Sequence, residues 1–373
     1  MTADTPTDYR SPLLGRRGAV AAEDPDEGVA VHYGEPVAEQ RALERGIGVV
    51  DLSHRGVVTV TGPDRLSWLD TLSSQWVRDL SPGQSAELLL LDTRGHIEHA
   101  PAMVDDGETS FLISESSDAA GLAEFLDSMR FMLRVEITRR TDLGILATSS
   151  AGPALTAPDG TELLSWTDPW PRVPEGSTRY GPDGADHPGS EWQVQYWITP
   201  RADVPAVVQG AESVGARVAG VGALEAFRIA AWRPRLAREV DDRAIPHELD
   251  WLRSAVHLHK GCYRGQESIA RVFNLGKPPR RLTFLHLDGS EHIIPVPGDA
   301  VMNGERQVGV VTSVARHHEL GPIALALIKR NVAEDAQLMI GTIAAAQELI
   351  VAREGVGTGR PESNRPNLRR RKL

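Results

Sequence analysis

Cysteine is nearly absent: Cys262 is the single one in 373 residues. This excludes an intramolecular disulfide framework, a zinc site built on cysteine pairs, and an iron–sulfur cluster held by this chain alone. Long apolar runs are missing as well. The longest, around Ile323–Ile328, is strand-sized and far short of the roughly 18 residues of a membrane span. Met1–Pro12 is polar and lacks the apolar core of a secretory signal, so the expectation is a cytoplasmic protein with no membrane partner. Positive charge is in deficit, with 40 Lys+Arg against 51 Asp+Glu and a net charge of −11. A body of that charge is a poor non-specific nucleic-acid binder, because phosphate neutralisation needs a basic footprint. Only residues 360–373 reverse the sign: Arg360, Arg365, Arg369, Arg370, Arg371 and Lys372 stand against Glu362. Such an end is an RNA-binding arm or, more commonly, a solvated disordered tail.

What is present is a chain with 41% hydrophobic residues, long enough for two or three domains and a sizeable core. Residues 1–30 are rich in Pro, Asp, Glu and Gly without hydrophobic period and read as disordered. Gly56–Thr61 is β-branched and strand-like, and Asp64 can cap a helix carrying Leu66, Leu69, Leu72 and Trp76 at helical spacing. Strands follow at Ala86–Leu91, up to Val104, and at Thr109–Ser114, separated by Asp92–Gly95 and Asp105–Gly107 turns. Asp118 opens an amphipathic helix with Leu122, Phe125, Leu126 and Met129 on one face. Arg134–Thr138 and Leu143–Ala147 return to strand. Residues 151–190 read as a long irregular connection, followed by a strand at Trp192–Ile198 and helices at Val204–Val214 and Gly222–Trp232. From Arg281 the chain is β-rich, with Asn303-Gly304 as a strong hairpin signal. The fold class expected is α+β, with mostly antiparallel sheets, and a small C-terminal β-barrel or sandwich. The domain division expected is 31–150, 151–280 and 281–355, with a basic disordered tail over 356–373.

The densest chemistry lies in Lys260-Gly-Cys-Tyr-Arg-Gly-Gln-Glu267. Lys260 and Arg264 flank Cys262, and cations near a thiol favour the thiolate. Gly261 and Gly265 allow a tight turn or a close ligand approach, while Tyr263, Gln266 and Glu267 offer a ring and hydrogen-bonding groups suited to a planar heterocycle. The plain alternative is a buried, inert cysteine in a glycine-punctuated loop.

This octet resembles the signature of the YgfZ branch of the YgfZ/GcvT-like folate-binding proteins at each of its fixed positions. Val50–His54 and Val60–Asp64, followed by a helix, are similar to the opening of aminomethyltransferase-type domains. Gly222–Pro246 is similar to a segment in which an arginine, here Arg228, precedes a glutamate, here Glu239, by eleven positions. The resemblance spans residues from about 31 to 350. It implies a GcvT/YgfZ-like folate-binding fold, with tetrahydrofolate or a one-carbon derivative bound where the domains meet. It also implies a role in assembly or repair of iron–sulfur clusters in [4Fe–4S] enzymes, including tRNA-modifying ones, without independent turnover. On that reading the partners are iron–sulfur enzymes or cluster assembly proteins. Cys262 is then a functional thiolate, a transient cluster ligand shared with a partner, tuned by Lys260 and Arg264. Arg228, Glu239, Gly261, Tyr263, Gly265, Gln266, Glu267, Trp192 and Gln193 surround the folate.

Two departures qualify the resemblance. The adjacent aspartates of aminomethyltransferases correspond to Glu98 and His99, and the acidic residue that follows an aromatic in the second domain corresponds to Gln193 after Trp192. Glu98 keeps the charge but displaces it by a methylene, which disfavours glycine-cleavage chemistry. A folate-dependent aminomethyl or methyl transferase is the second reading, with Glu98 its catalytic candidate, and an RNA-binding module acting through the tail is the third. Arg228 either clamps a folate carboxylate or pairs with Glu225. Trp166, Trp170 and Trp192 either line the pocket or plug it. The Gly220–Gly222 and Gly355–Gly359 runs lack dinucleotide-binding spacing, and His317-His318-Glu319 lacks a helical metal-binding frame.

Overall fold

The structure is a computed structural model that describes residues 9–361 except 150, 153, 291 and 292. Eight α-helices punctuate the described chain: α1 (Pro36–Glu44), α2 (Arg65–Leu72), α3 (Ala119–Met129), α4 (Val204–Ser213), α5 (Val221–Ala230), α6 (Leu236–Glu239), α7 (Leu252–Ala255) and α8 (Gln266–Leu275). None among the described residues is long and apolar enough to cross a membrane.

Among the described residues the strands form two five-stranded sheets, a barrel and two two-stranded ribbons. The first sheet runs in the order 136–140, 56–61, 109–114, 102–105, 85–87 and is antiparallel throughout. Its β-branched Gly56–Thr61 strand lies between two neighbours, and of the expected α3 stripe Leu122 and Leu126 are fully buried against this unit and Phe125 partly so, while Met129 is 41% exposed at the helix end. The second sheet runs in the order 165–167, 194–200, 143–149, 48–51, 217–219, with one parallel pair at its edge. Residues 280–349 close into a six-stranded barrel, with the Asn303-Gly304 turn joining two of its strands and Gly304 at φ +59°. An α+β fold with mostly antiparallel sheets and a terminal barrel is therefore what forms.

The second sheet draws strands from both sides of residue 150, so the chain's first two segments interlock. The connection over 151–190 is the joint between them. Trp166, Trp170 and Trp192 are buried there, and each indole N–H finds an acceptor: Ala86 O at 2.7 Å, Ala231 O at 2.9 Å and Asp168 Oδ2 at 2.8 Å, respectively. They plug the core, as an amphipathic ring does once its polar tip is satisfied.

Four local expectations need correction. Helix α2 ends at Leu72, and Trp76 lies beyond it, 41% exposed. Asp64 does not cap α2 through its side chain; its carboxylate takes the Arg134 guanidinium at 2.6 Å and 3.0 Å instead. Residues 9–30 are not a disordered leader. Leu13 and Val29 are buried, Val20–Ala21 pairs with Ala30–His32, and Asp26 sits at 4% exposure with its carboxylate on His54 and Arg235. A polar, proline-rich composition hid this, because the segment is held by buried ion pairs rather than by an apolar stripe. At the other end, Arg360 donates to the carbonyls of Asn274 at 3.0 Å and Gly276 at 2.8 Å, so the supposed tail is docked as far as residue 361. The rest of the basic stretch and residues 1–8 lie outside the described residues.

The anchoring role of Asp26 is testable. Asp26→Ala leaves Arg235 and His54 short of a buried carboxylate and is expected to lower unfolding free energy by about 3 kcal/mol, measured by urea denaturation. Unchanged stability would mean that the segment is not held through this pair.

Candidate functional site

Helix α5 ends at Ala230, and Trp232 reverses the chain in the left-handed conformation at φ +58°. The Arg233-Pro234-Arg235 run is thereby delivered into the seam between the two sheets and the barrel. Three guanidiniums converge there. Arg228 donates to Glu225 at 3.0 Å and 2.9 Å, to Glu239 at 3.0 Å, to Arg233 O at 2.6 Å and to Ser313 Oγ at 2.7 Å. Arg233 reaches Asp168 at 3.0 Å and Glu87. Arg235 takes both oxygens of Glu115 at 2.8 Å each, both of Asp26 at 2.7 Å and 3.0 Å, and Glu225 at 3.0 Å.

All three are buried. Burial alone would lower the pKa of Arg235, but Glu115, Asp26 and Glu225 hold it well above the ordinary value. In return, burial would raise Glu115, yet Arg235 and then Arg55 pull it down to about 2. These groups stay ionised because each charge is matched, which is the condition for charges to survive burial. Between them lies a central cavity of about 60 Å³, walled by Trp166, Trp192, Tyr196 and Trp251 and by Arg55, Glu87, Glu115, Asp168, Glu225, Arg228, Arg233 and Arg235.

The sequence-predicted residues divide into two groups. Arg228 and Glu239 meet in this lattice, and Trp192 is on its wall. Arg228 does not offer a free clamp for a folate carboxylate, because its donors are taken by Glu225, Glu239, Ser313 and a carbonyl; the ion-pair alternative is the one realised. Gln193 is exposed and does not line the cavity.

The Lys260–Glu267 octet lies elsewhere, and none of it lines the central cavity. Lys260 does not tune the cysteine. Its ammonium is buried in a cage formed by Asp70 O at 2.5 Å, Gln75 O at 2.5 Å, Ser73 O at 2.9 Å and Asp70 Oδ1 at 3.2 Å. Burial lowers its pKa to about 8, with Asp70 pulling the other way. Arg264 turns to Glu98 at 2.8 Å and over the Phe125 ring at 5.7 Å. The two flanking cations thus point their hydrogen bonds away from Cys262, which is exposed. Tyr263 is buried, with its phenol pKa raised by burial. Gln266 donates to Lys260 O at 3.3 Å, while Gly261 and Glu267 face solvent.

Gly265 opens α8 at φ +84°, and a Cβ there would lie 2.6 Å from Asp92 O and 3.1 Å from the Cα of Gly95. Two turns therefore touch backbone to backbone, and only glycine permits both the angle and the approach. Glu98 and His99, which the sequence resemblance sets against the adjacent aspartates of aminomethyltransferases, are both engaged: Glu98 with Arg264, and His99 Nδ1 with Asp118 Oδ1 at 2.6 Å. Glu98 is not on the cavity wall.

Sequence reasoning missed Arg233, Arg235, Glu87, Glu115 and Asp168. The signal was present in Trp232-Arg-Pro-Arg235, a pair of cations next to apolar helix residues, for which buried carboxylates are the physical expectation.

Comparison with known proteins bears on this geometry. Residues 16–154 match the GCVT N-terminal domain, and residues 280–352 match the glycine cleavage T-protein C-terminal barrel domain. The chain is GcvT-like, carrying both the N-terminal and the C-terminal barrel domain of that family. An aminomethyltransferase of Mycobacterium leprae (strain Br4923) is 25% identical over 353 residues, 90% of this chain and 93% of that protein. One from Thermus thermophilus is 28% identical over 296 residues, 76% of this chain and 79% of that protein. A chloroplastic Arabidopsis thaliana protein, named provisionally as a transferase, is 27% identical over 316 residues, 83% of this chain and 71% of its own length. In fold, the chain is similar to the crystal structure of glycine cleavage system aminomethyltransferase T from Bartonella henselae. That likeness has a TM-score of 0.70 at 18% identity, covering 91% of this chain and 94% of the other.

The turn-on-turn contact yields a prediction. Gly265→Ala combines a strained angle with a backbone clash, and is expected to cost about 2 kcal/mol or more, read as a lower Tm. An unaltered Tm would show that the Asp92–Gly95 turn yields freely.

Proposed function

We propose that this GcvT-like protein binds tetrahydrofolate, or a one-carbon derivative of it, at the central cavity. The observation that carries this reading is the cavity's set of ring faces and acceptors. Flat aromatic walls from Trp166, Trp192 and Tyr196 face carboxylates of Glu87, Glu115 and Asp168. A pterin presents ring faces and a row of N–H donors, which such walls and acceptors complement. Tetrahydrofolate, when bound, supplies ring and bridge nitrogens that carry a one-carbon unit. The cavity's 60 Å³ admits about two water molecules, so binding requires the walls to part. Four carboxylates and four guanidiniums ring it, and a lining balanced in charge favours the uncharged pterin head over an anionic glutamyl tail as the buried part. The relatives support a folate-dependent aminomethyl or methyl transferase better than an iron–sulfur role, and such a reaction would have to release Glu98 from Arg264 and His99 from Asp118, or use other groups, since Glu98 stands off the cavity.

Calorimetric titration with tetrahydrofolate tests this. Tyr196→Leu removes one ring face and is expected to weaken binding about fivefold to tenfold, whereas the exposed Trp76→Leu leaves it unchanged. No heat of binding to the unaltered protein would end the reading.

A second reading, support of iron–sulfur cluster assembly or repair in [4Fe–4S] enzymes, is favoured by one further observation. The exposed Cys262 stands on a platform fixed on both sides, by the Lys260 cage and by the Gly265 contact. A thiol held out in this way is suited to lending one ligand to a partner. Cys262→Ser is expected to leave Tm unchanged and to lower the activity of [4Fe–4S] enzymes in cells. Full enzyme activity in that variant would contradict the cysteine's role.

A further inference from the structure

A second and larger cavity, of about 420 Å³, opens where the barrel's His317–Leu320 turn meets α1, the end of α5 and residues 185–192. Its size lies within the range of small-molecule sites. The floor is aromatic: Trp192 lies against Phe227 with ring centroids 5.3 Å apart. The rim is acidic, with Glu44, Asp186, Glu191 and Glu319, and no lysine or arginine lines it. Asp186 and Glu191 carry no ion pair among the described residues. His318 lies against Glu44 and Glu319, and the other two imidazoles on the wall, His187 and His317, do not offset the rim's charge at neutral pH, because burial acts on them. It lowers His187 to about 3, with Arg253 adding to the effect, and also pushes His317 below its ordinary value.

We propose that this cavity binds an organic cation, an amine or quaternary ammonium that carries an apolar body. The aromatic floor attracts a cation through its ring faces and covers the apolar part, while the carboxylate rim draws in and retains the charge. The same rim repels anions and gives a neutral ring no charge to answer. A bare metal ion is a poorer match. Glu44, His318 and Glu319 do approach one another, with His318 Nε2 at 3.2 Å from Glu44 and 3.9 Å from Glu319. The other ring nitrogen of His318 is buried without a partner, so a metal on Nε2 would strand an N–H at Nδ1. Trp192 is a wall of both this cavity and the central one, so an occupant here lies one indole away from the site proposed for folate. Cation binding stands independently of whether folate binds.

The test uses the full chain and three probes of similar size: phenyltrimethylammonium, benzyl alcohol and benzoate. Intrinsic tryptophan fluorescence and calorimetry are expected to detect the cation alone, with an affinity that falls as salt rises. The exposed pair Asp186→Asn and Glu191→Gln, combined in one variant that keeps the parent Tm, is expected to weaken it about tenfold. The proposal is overturned if the cation binds no tighter than benzyl alcohol, or if the double variant binds it equally well. It is also overturned if Zn²⁺ displaces the cation and His318→Gln abolishes that displacement, which would make the site a metal site.

Discussion

The buried pairing of Arg228, Arg233 and Arg235 with carboxylates from distant parts of the chain is the interaction on which the rest of the structure depends. Asp26 comes from the first ordered segment, Glu87 and Glu115 from the first sheet's unit, Asp168 from the interlocking connection, and Ser313 from the barrel. Arg233 and Arg235 are nodes that each tie their own stretch to two distant segments, and Arg228 ties the same stretch to the barrel. Desolvating so many charges is costly, and it is offset only because the geometry is bidentate and few donors are left over. The cost has a structural consequence: the lattice forms only when all segments have arrived, so it specifies one assembly of sheets and barrel rather than merely adding stability.

The same lattice shapes the two cavities. Around the central one it leaves little empty space, an aromatic wall and carboxylates matched one for one by guanidiniums. Beyond Trp192 the carboxylates continue into the larger cavity, where the counter-cations stop. A protein that is acidic overall has thus gathered its buried cations at the centre and left the neighbouring pocket bare of them.

Regular elements were legible in the sequence where side-chain period decides structure. The Thr109–Ser114 strand, the α3 stripe of Leu122 and Leu126, and the barrel hairpin at Asn303-Gly304 form as their patterns require. What escaped is non-local. The order of residues 9–30 depends on Asp26 meeting Arg235, more than two hundred positions away, and no local pattern encodes that. The octet at Lys260–Glu267 was recognisable as special, but its chemistry was misassigned. Proximity in sequence suggested that Lys260 and Arg264 act on Cys262, whereas Lys260 is drawn into a ring of carbonyls and Arg264 to Glu98. Residues adjacent in the chain point in different directions once a turn at Gly265 fixes the backbone. The resemblance singled out Arg228 and Glu239 as residues around the folate, whereas they bind each other, and the sequence carried no sign of that pairing or of its burial and saturation.

The cavity enclosed by the arginine lattice, and not the octet, is where we propose that folate binds. Fluorine NMR of protein labelled with 5-fluorotryptophan resolves the eight indoles individually and tests this directly. On titration with tetrahydrofolate, the resonances of Trp166, Trp192 and Trp251 are expected to shift together while that of Trp76, beside the octet's side of the molecule, stays fixed. Shifts confined to Trp76, or none at the cavity walls, would contradict the claim.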